Sequence, residues 1–256
     1  MHLYTYCSIR ILVVQYRHRK KEARVILVLA FLGSMVPAVL LFLWLRGQKN
    51  MAPDYRERCG KSLLYGLISV VAVLFVSLII NIILKLLHLQ DGDPLLYRFL
   101  HTLLVLAFAE ELTKFFAMKK AVKGRKNSWF ELTVFMTLAG LGFEMAEAIP
   151  YAIGNGPITM FVRGITLMHA SYGFILGWSV GKSAKTGNKI HGIIGFLACV
   201  ILHGLYDFSL SEEFLSIDDD LAAVAFALVA VSVVALILLI RFVIKRRNDP
   251  KYTELA

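Results

Sequence analysis

The sequence predicts an all-α fold: a polytopic transmembrane helix bundle of about seven spans. Three observations predict it. Hydrophobic residues make up 58% of the 256-residue chain and the mean hydropathy is +0.67, more apolar than an ordinary water-soluble domain. The apolar residues fall in continuous runs of roughly 20, the length a helix needs to cross a bilayer, and they do not alternate as the strands of a membrane barrel would. The Lys and Arg residues lie between those runs, where they set the orientation of successive spans.

Residues 1–24 read as a basic N-terminal extension. Their apolar stretch is short, is broken by Arg10, and is followed by Arg17, His18, Arg19, Lys20 and Lys21. The first span covers about 25–45 and is closed by Arg46 and Lys49. A polar loop holding Pro53, Arg56, Arg58 and Lys61 leads to the second, about 62–84. His88 to Pro94 is rich in turn residues. The third span starts near Leu95 and ends at Lys119 and Lys120, before the basic loop Lys123 to Asn127. The fourth runs over about 128–149 and stops at Pro150. After the turn Gly154-Asn155-Gly156-Pro157 come a fifth span over about 158–180 and a basic loop over 182–189. The sixth covers about 190–210, and an acidic loop with Glu212, Glu213 and Asp218 to Asp220 follows it. The seventh covers about 221–244, ahead of Lys245, Arg246 and Arg247. The membrane domain is thus 25–245, with a tail over 246–256.

Basic loops alternate with loops that carry almost no Lys or Arg, which places the C-terminus in the cytoplasm of a plasma-membrane protein. The same rule puts the N-terminus outside, against the charge of Arg17 to Arg24. Two readings of residues 1–24 follow: an extension outside the natural protein, from a start codon assigned too early, or an amphipathic juxtamembrane segment tolerated despite its charge; sequencing of the mature N-terminus decides between them. A formal net charge of +10 would point a soluble domain towards nucleic acid. Here the charge is topogenic, and no nucleic-acid partner is expected. Cys7, Cys59 and Cys199 form no CxxC pair, which excludes a disulfide framework or a zinc finger.

Charged side chains interrupt four successive spans. Each costs at least ~2.5 kcal/mol in hydrocarbon, so each is a functional candidate. Span three carries Glu110, Glu111 and Lys114. Glu110 shares a helix face with Ala107, Thr113 and Ala117 and is assigned to a small chamber. Glu111 lies about 100° around the helix and is assigned to pair with Lys114 or a neighbouring helix. Span four carries Glu144 and Glu147, one turn apart, just after Gly140 and Gly142, which permit close helix approach. Span five carries Arg163 and His169, with Gly173, Gly177 and Gly181 at packing intervals. Span six carries His203 and Asp207 at i,i+4, so the carboxylate can reach the imidazole. Rise per residue puts these groups between the midplane and the extracytoplasmic face.

The ordered set Glu-Glu-x-x-Lys, Phe-Glu-x-x-Glu and His-x-x-x-Asp, at Glu110 to Lys114, Phe143 to Glu147 and His203 to Asp207, resembles the PrsW family of intramembrane proteases. That family looks distantly related to the CAAX-prenyl endopeptidases, from whose pattern this sequence departs at Lys114, Glu147 and Asp207. The resemblance implies an endopeptidase that makes the first cut in a membrane-anchored protein, such as an anti-sigma factor, on its extracytoplasmic side.

Two peptidase mechanisms are open. Glu110 could act as general base on a water held by Glu147 or His169, with His203, oriented by Asp207, at the oxyanion or leaving amine. Alternatively, Glu110, Glu147, His169 and His203 could hold a divalent metal such as zinc. Neither HExxH nor GxSxG is present, which removes the usual zinc-protease and serine-hydrolase signatures. A proton- or cation-coupled transporter is the rival function, opposed by the absence of an inverted repeat. A noncatalytic membrane scaffold is a third.

Overall fold

The protein is described here from a computed structural model, over residues 28–29, 31–154, 164–217 and 222–255. The N-terminal extension, Arg163, the turn after Gly154 and the Asp218 to Asp220 run lie outside the described residues. Within them the chain is helical, apart from one isolated bridge between Ser128 and Leu255.

Every predicted apolar run contains a helix. The first is α1, Phe31–Arg46, and the second α2, Tyr55–Leu86. The third run is composite. Helix α3, Pro94–Leu100, starts with Pro at its first turn and the Asp93 side chain accepting from Leu96 N at 2.8 Å, a combination that satisfies an otherwise orphan amide. It passes into a π-helical segment, His101–Phe108, and then into α4, Ala109–Ala121. Next come α5, Trp129–Gly154, α6, Met168–Thr186, and α7, Ile190–Ser209. The short α8, Glu212–Leu215, precedes α9, Ala222–Arg246, and α10, Pro250–Thr253, closes the chain.

Among the described residues, four helices are long and apolar enough to cross a bilayer alone: α2, α5, α7 and α9. Helix α1 is shorter than these, the third run is divided among shorter helical stretches, and α6 carries His, Ser, Gly and Lys residues among its apolar ones. Helix α5 is the hub. It packs most extensively on α6 and α2, and 78% of its most apolar window is buried, against 17% for α2. Phe130, Val134, Phe135, Met136, Leu138, Ala139 and Leu141 are fully enclosed. The α2 and α9 surfaces leave Leu74, Phe75, Leu78 and Phe226 outward, as lipid-facing helices do.

Helix α5 begins with a capping box: Ser128 N and Glu131 Oε2 are 2.9 Å apart, and Glu131 N reaches Ser128 Oγ at 3.2 Å. It does not stop at Pro150, as the sequence led us to expect, but continues to Gly154. A proline this near a helix end removes one amide without breaking what precedes it. Gly140 lets α6 approach closely, since a Cβ there would stand 2.1 Å from the His169 carbonyl oxygen. Gly173, Gly177 and Gly181 face α5 in the same way, against Met136, Thr133 and Trp129.

Candidate functional site

Four helices, α4 to α7, each contribute ionisable side chains to one buried cluster. Its geometry starts in the π segment before α4. Hydrogen bonds of the i→i+5 kind turn the chain less per residue than α-helical ones, so the segment sets which way Glu110 and Glu111 point. The Ser77 hydroxyl of α2 donates to the Val105 carbonyl inside that segment at 2.7 Å.

Glu111 and Lys114 are fully buried, and Glu110 nearly so at 8% exposure. The Lys114 ammonium donates to Glu111 Oε1 at 2.6 Å. The pairing is therefore i,i+3 with Glu111, while Glu110, at i,i+4 from Lys114, turns towards the histidines. His203 Nδ1 lies 3.0 Å from the same Glu111 oxygen. If it donates there, neutral His203 keeps its lone pair on Nε2. That Nε2 stands 3.7 Å from Glu110 Oε2 and 3.4 Å from Asp207 Oδ2.

His169 is arranged as a counterpart. Its Nε2 is 2.6 Å from Glu147 Oε2, which favours the proton there and the lone pair on Nδ1. Nδ1 accepts from Lys114 Nζ at 2.9 Å and lies 4.0 Å from Glu110 Oε2. Leu167, just before α6, has φ of +42°, a left-handed conformation that a leucine rarely adopts. This break inside the predicted fifth span starts a new helix, whose first amides have no partner in a preceding turn, and His169 N donates to Glu144 Oε2 at 2.9 Å. Glu144 thus caps α6 from another helix. The imidazoles are wedged by aromatic rings: Phe143 meets His169 edge-on at 4.9 Å, and Tyr172 stacks on His203 at 5.5 Å.

Nine residues were singled out as site candidates from sequence. Glu110, Glu111, Lys114, Glu144, Glu147, His169, His203 and Asp207 converge, and Arg163 lies outside the described residues. Ser77 and Tyr172 also shape the site and were not anticipated as doing so, and Phe143, part of the Phe-Glu-x-x-Glu motif, was not given the ring contact it makes. Ser77 is a polar residue in an apolar span, a visible signal; the two rings look like ordinary core.

Glu110, His169 and His203 offer ligand atoms that all lie within 4.8 Å of one another. Tetrahedral bonds of about 2.0–2.1 Å would put such atoms ~3.4 Å apart, so a small inward movement would let them share an ion. Glu110 Oε2 is buried and has no hydrogen-bond partner among the described residues, as expected of an oxygen kept for a ligand. The donor set, one carboxylate and two imidazoles, suits a zinc-type ion. Glu147, the fourth ligand expected from sequence, lies on the far nitrogen of His169, and Glu111 on that of His203, positions from which a carboxylate can orient such a ligand. Side-chain exposure rises from these groups to Glu147 at 18% and Asp207 at 21%.

The family model described as "PrsW family intramembrane metalloprotease" matches residues 60–240, a stretch that holds the whole cluster. Protease PrsW of Bacillus subtilis (strain 168) is 28% identical over 181 residues, which cover 68% of this chain and 78% of that one. Protease PrsW of Shouchella clausii (strain KSM-K16) is 32% identical over 83 residues, 31% of this chain and 39% of that one. No solved structure matches. With the family match running through all four helices that build the cluster, the chain belongs to the PrsW family of intramembrane metalloproteases and is a membrane-embedded peptidase.

Proposed function

We propose that this peptidase makes the first cut in a membrane-anchored protein, near its extracytoplasmic side, in regulated intramembrane proteolysis, with an anti-sigma factor as the substrate class. It would act in the plasma membrane with its C-terminus in the cytoplasm. The distribution of charge supports that orientation. Lys119, Lys120, Lys185, Lys245 and Arg246 lie in the last turns of α4, α6 and α9. Glu147 and Asp207, the more exposed members of the cluster, lie near the opposite ends of their bundle layers, late in α5 and α7. Water and an extended segment of substrate would enter from that side.

The observation that carries the mechanism is the convergence of Glu110 Oε2, His169 Nδ1 and His203 Nε2, with a carboxylate on the far nitrogen of each imidazole. In this reading those three residues would hold a divalent ion, whose Lewis acidity would lower the pKa of a water and polarise a carbonyl. Glu147 and Glu111 fix the imidazole tautomers. Asp207, beside His203 Nε2 and the most exposed of the acids, accepts the proton of the attacking water and returns it to the leaving amine. Lys114 holds Glu111 in place.

A second reading keeps Glu110 as general base without an ion. Lys114 Nζ, 2.9 Å from His169 Nδ1, favours it, because an ammonium there already occupies the lone pair that an ion would use. Metal analysis of the purified full-length protein separates the two. The metal reading expects about one zinc-type ion per chain, lost in Glu110→Gln. It also expects Asp207→Asn to keep the ion while cleavage of a membrane-anchored anti-sigma factor falls by roughly 10²–10⁴-fold. Full cleavage by protein that carries no ion and resists chelators, with cleavage lost in Glu110→Gln, would favour Glu110 as the base instead.

A further inference from the structure

Away from the cluster, α6 and α9 enclose a groove of about 490 Å³ at the basic end of the bundle. Phe174, Ile175 and Trp178 line it from α6, and Leu238, Arg241 and Lys245 from α9. The α9 residues stand at i, i+3 and i+7, one face of a helix. The groove is therefore apolar along most of its length and cationic at one end. Trp178, 37% exposed, stands near that end, with the Lys182 ammonium 5.5 Å from its ring centre.

The cations differ in how they are satisfied. Arg246 also lines the groove, with Tyr252 of α10, but it is occupied: it donates to Asp249 Oδ2 at 2.9 Å and lies over the Tyr252 ring at 5.1 Å. Arg241 and Lys245 are exposed, and neither has a carboxylate partner among the described residues. Arg241 sits five residues before the end of α9, about 7.5 Å deeper than the basic cluster there. A guanidinium at that depth needs an anion or water. A lipid phosphate supplies one at the headgroup boundary, and bidentate pairing suits Arg to it.

We propose that this groove binds one anionic glycerophospholipid, its phosphate on Arg241 and Lys245 and an acyl chain along Phe174, Ile175 and Leu238. The site is separate from the peptidase cluster and does not depend on how that cluster works. The apolar walls require a chain and the two cations require a charge, so a neutral phospholipid or a soluble phosphate satisfies only half of the site.

Trp178 serves as the reporter. The full-length protein is reconstituted in phosphatidylcholine, and phosphatidylglycerol with brominated acyl chains is titrated in. Fluorescence quenching is followed in the protein and in Trp178→Phe, whose difference isolates the groove. Brominated phosphatidylglycerol should quench Trp178 at a lower mole fraction than brominated phosphatidylcholine. Arg241→Gln should weaken this preference roughly fivefold, the contribution of about one cation near a membrane surface. Arg247→Gln removes the same charge from an exposed position beyond the groove and should leave the preference intact. Helix content by circular dichroism should be unchanged in both variants. Equal quenching by the two lipids, equal loss in the two variants, or displacement by soluble glycerol phosphate would each overturn the proposal.

Discussion

Lys114 is a fully buried cation at the centre of the cluster. Its ammonium is sealed from solvent and touches Glu111, His169 and, at 4.8 Å from the ring centre, Phe143. A buried ion pair adds little over an apolar replacement of both partners, but removing one partner strands the other charge. Lys114→Met should therefore lower stability by roughly 3–5 kcal/mol, read as a drop in the thermal midpoint of the purified protein. Glu111→Gln together with Lys114→Met should recover part of that loss, because the Glu111 charge that Lys114 neutralises is then removed as well. Glu147 acts differently, through the imidazole it orients. Glu147→Gln should weaken metal affinity by about 10–100-fold with the fold intact, measured by competition with a chelator of known affinity. The candidacy of Glu110, Glu111, His203 and Asp207 was legible in the sequence because a charge in an apolar run is conspicuous. Which carboxylate faces which partner was legible only in part. Helical faces separated Glu110 from Glu111, but the distances that pair Glu147 with His169 and Glu144 with the α6 backbone span 22 and 25 residues, and no local pattern encodes them.

At the scale of elements, the apolar runs located the helices because hydropathy and length decide what a bilayer accepts. Departures from regular helix were not legible. The π segment at His101–Phe108 has an ordinary apolar composition, and what marks it in three dimensions is a hydroxyl from another helix, Ser77. The break at Leu167 uses neither Gly nor Asn, the residues that usually mark left-handed backbone. Tight packing was legible through glycine, and it bears directly on the site. Gly140 of α5 lies against the His169 carbonyl, so a methyl group there must push the first turn of α6 away. Gly140→Ala should separate His169 from Glu110 and His203. The expected outcome is loss of bound metal and of cleavage together, in protein that still accumulates in the membrane. Retention of a full metal complement would show that α6 can shift without moving its histidine out of reach.

The whole molecule brings four helices to one point and must hold them there from outside the cluster. At the basic end, a second set of ions ties three elements together. Arg58 Nε bonds Asp54 Oδ2 at 2.5 Å, and its Nη1 reaches the Ala121 carbonyl at 3.2 Å, closing the C-terminus of α4. Arg125 lies 3.3 Å from Asp54 Oδ1 and also pairs with Glu131 in the first turn of α5. The starts of α2 and α5 and the end of α4 are thus joined through Asp54. The Arg58 hydrogen bond, with the charges of Arg125 and Arg58, holds the Asp54 carboxyl below its usual 3.8 against a smaller opposing effect of burial. A depressed carboxylate contributes stability that is fully present above the unfolded value and is lost as pH falls through the folded one. Asp54→Asn should therefore lower the thermal midpoint by a constant amount from about pH 8 down to about pH 5. The gap to the unsubstituted protein should close only once the pH drops below 3.8. Salt should narrow the gap at neutral pH, since the Asp54 side chain is one-third exposed and partly screened. A gap that closes near pH 6 would instead place the responsible group among the histidines, and the joint through Asp54 would not be what holds the basic ends of these helices together.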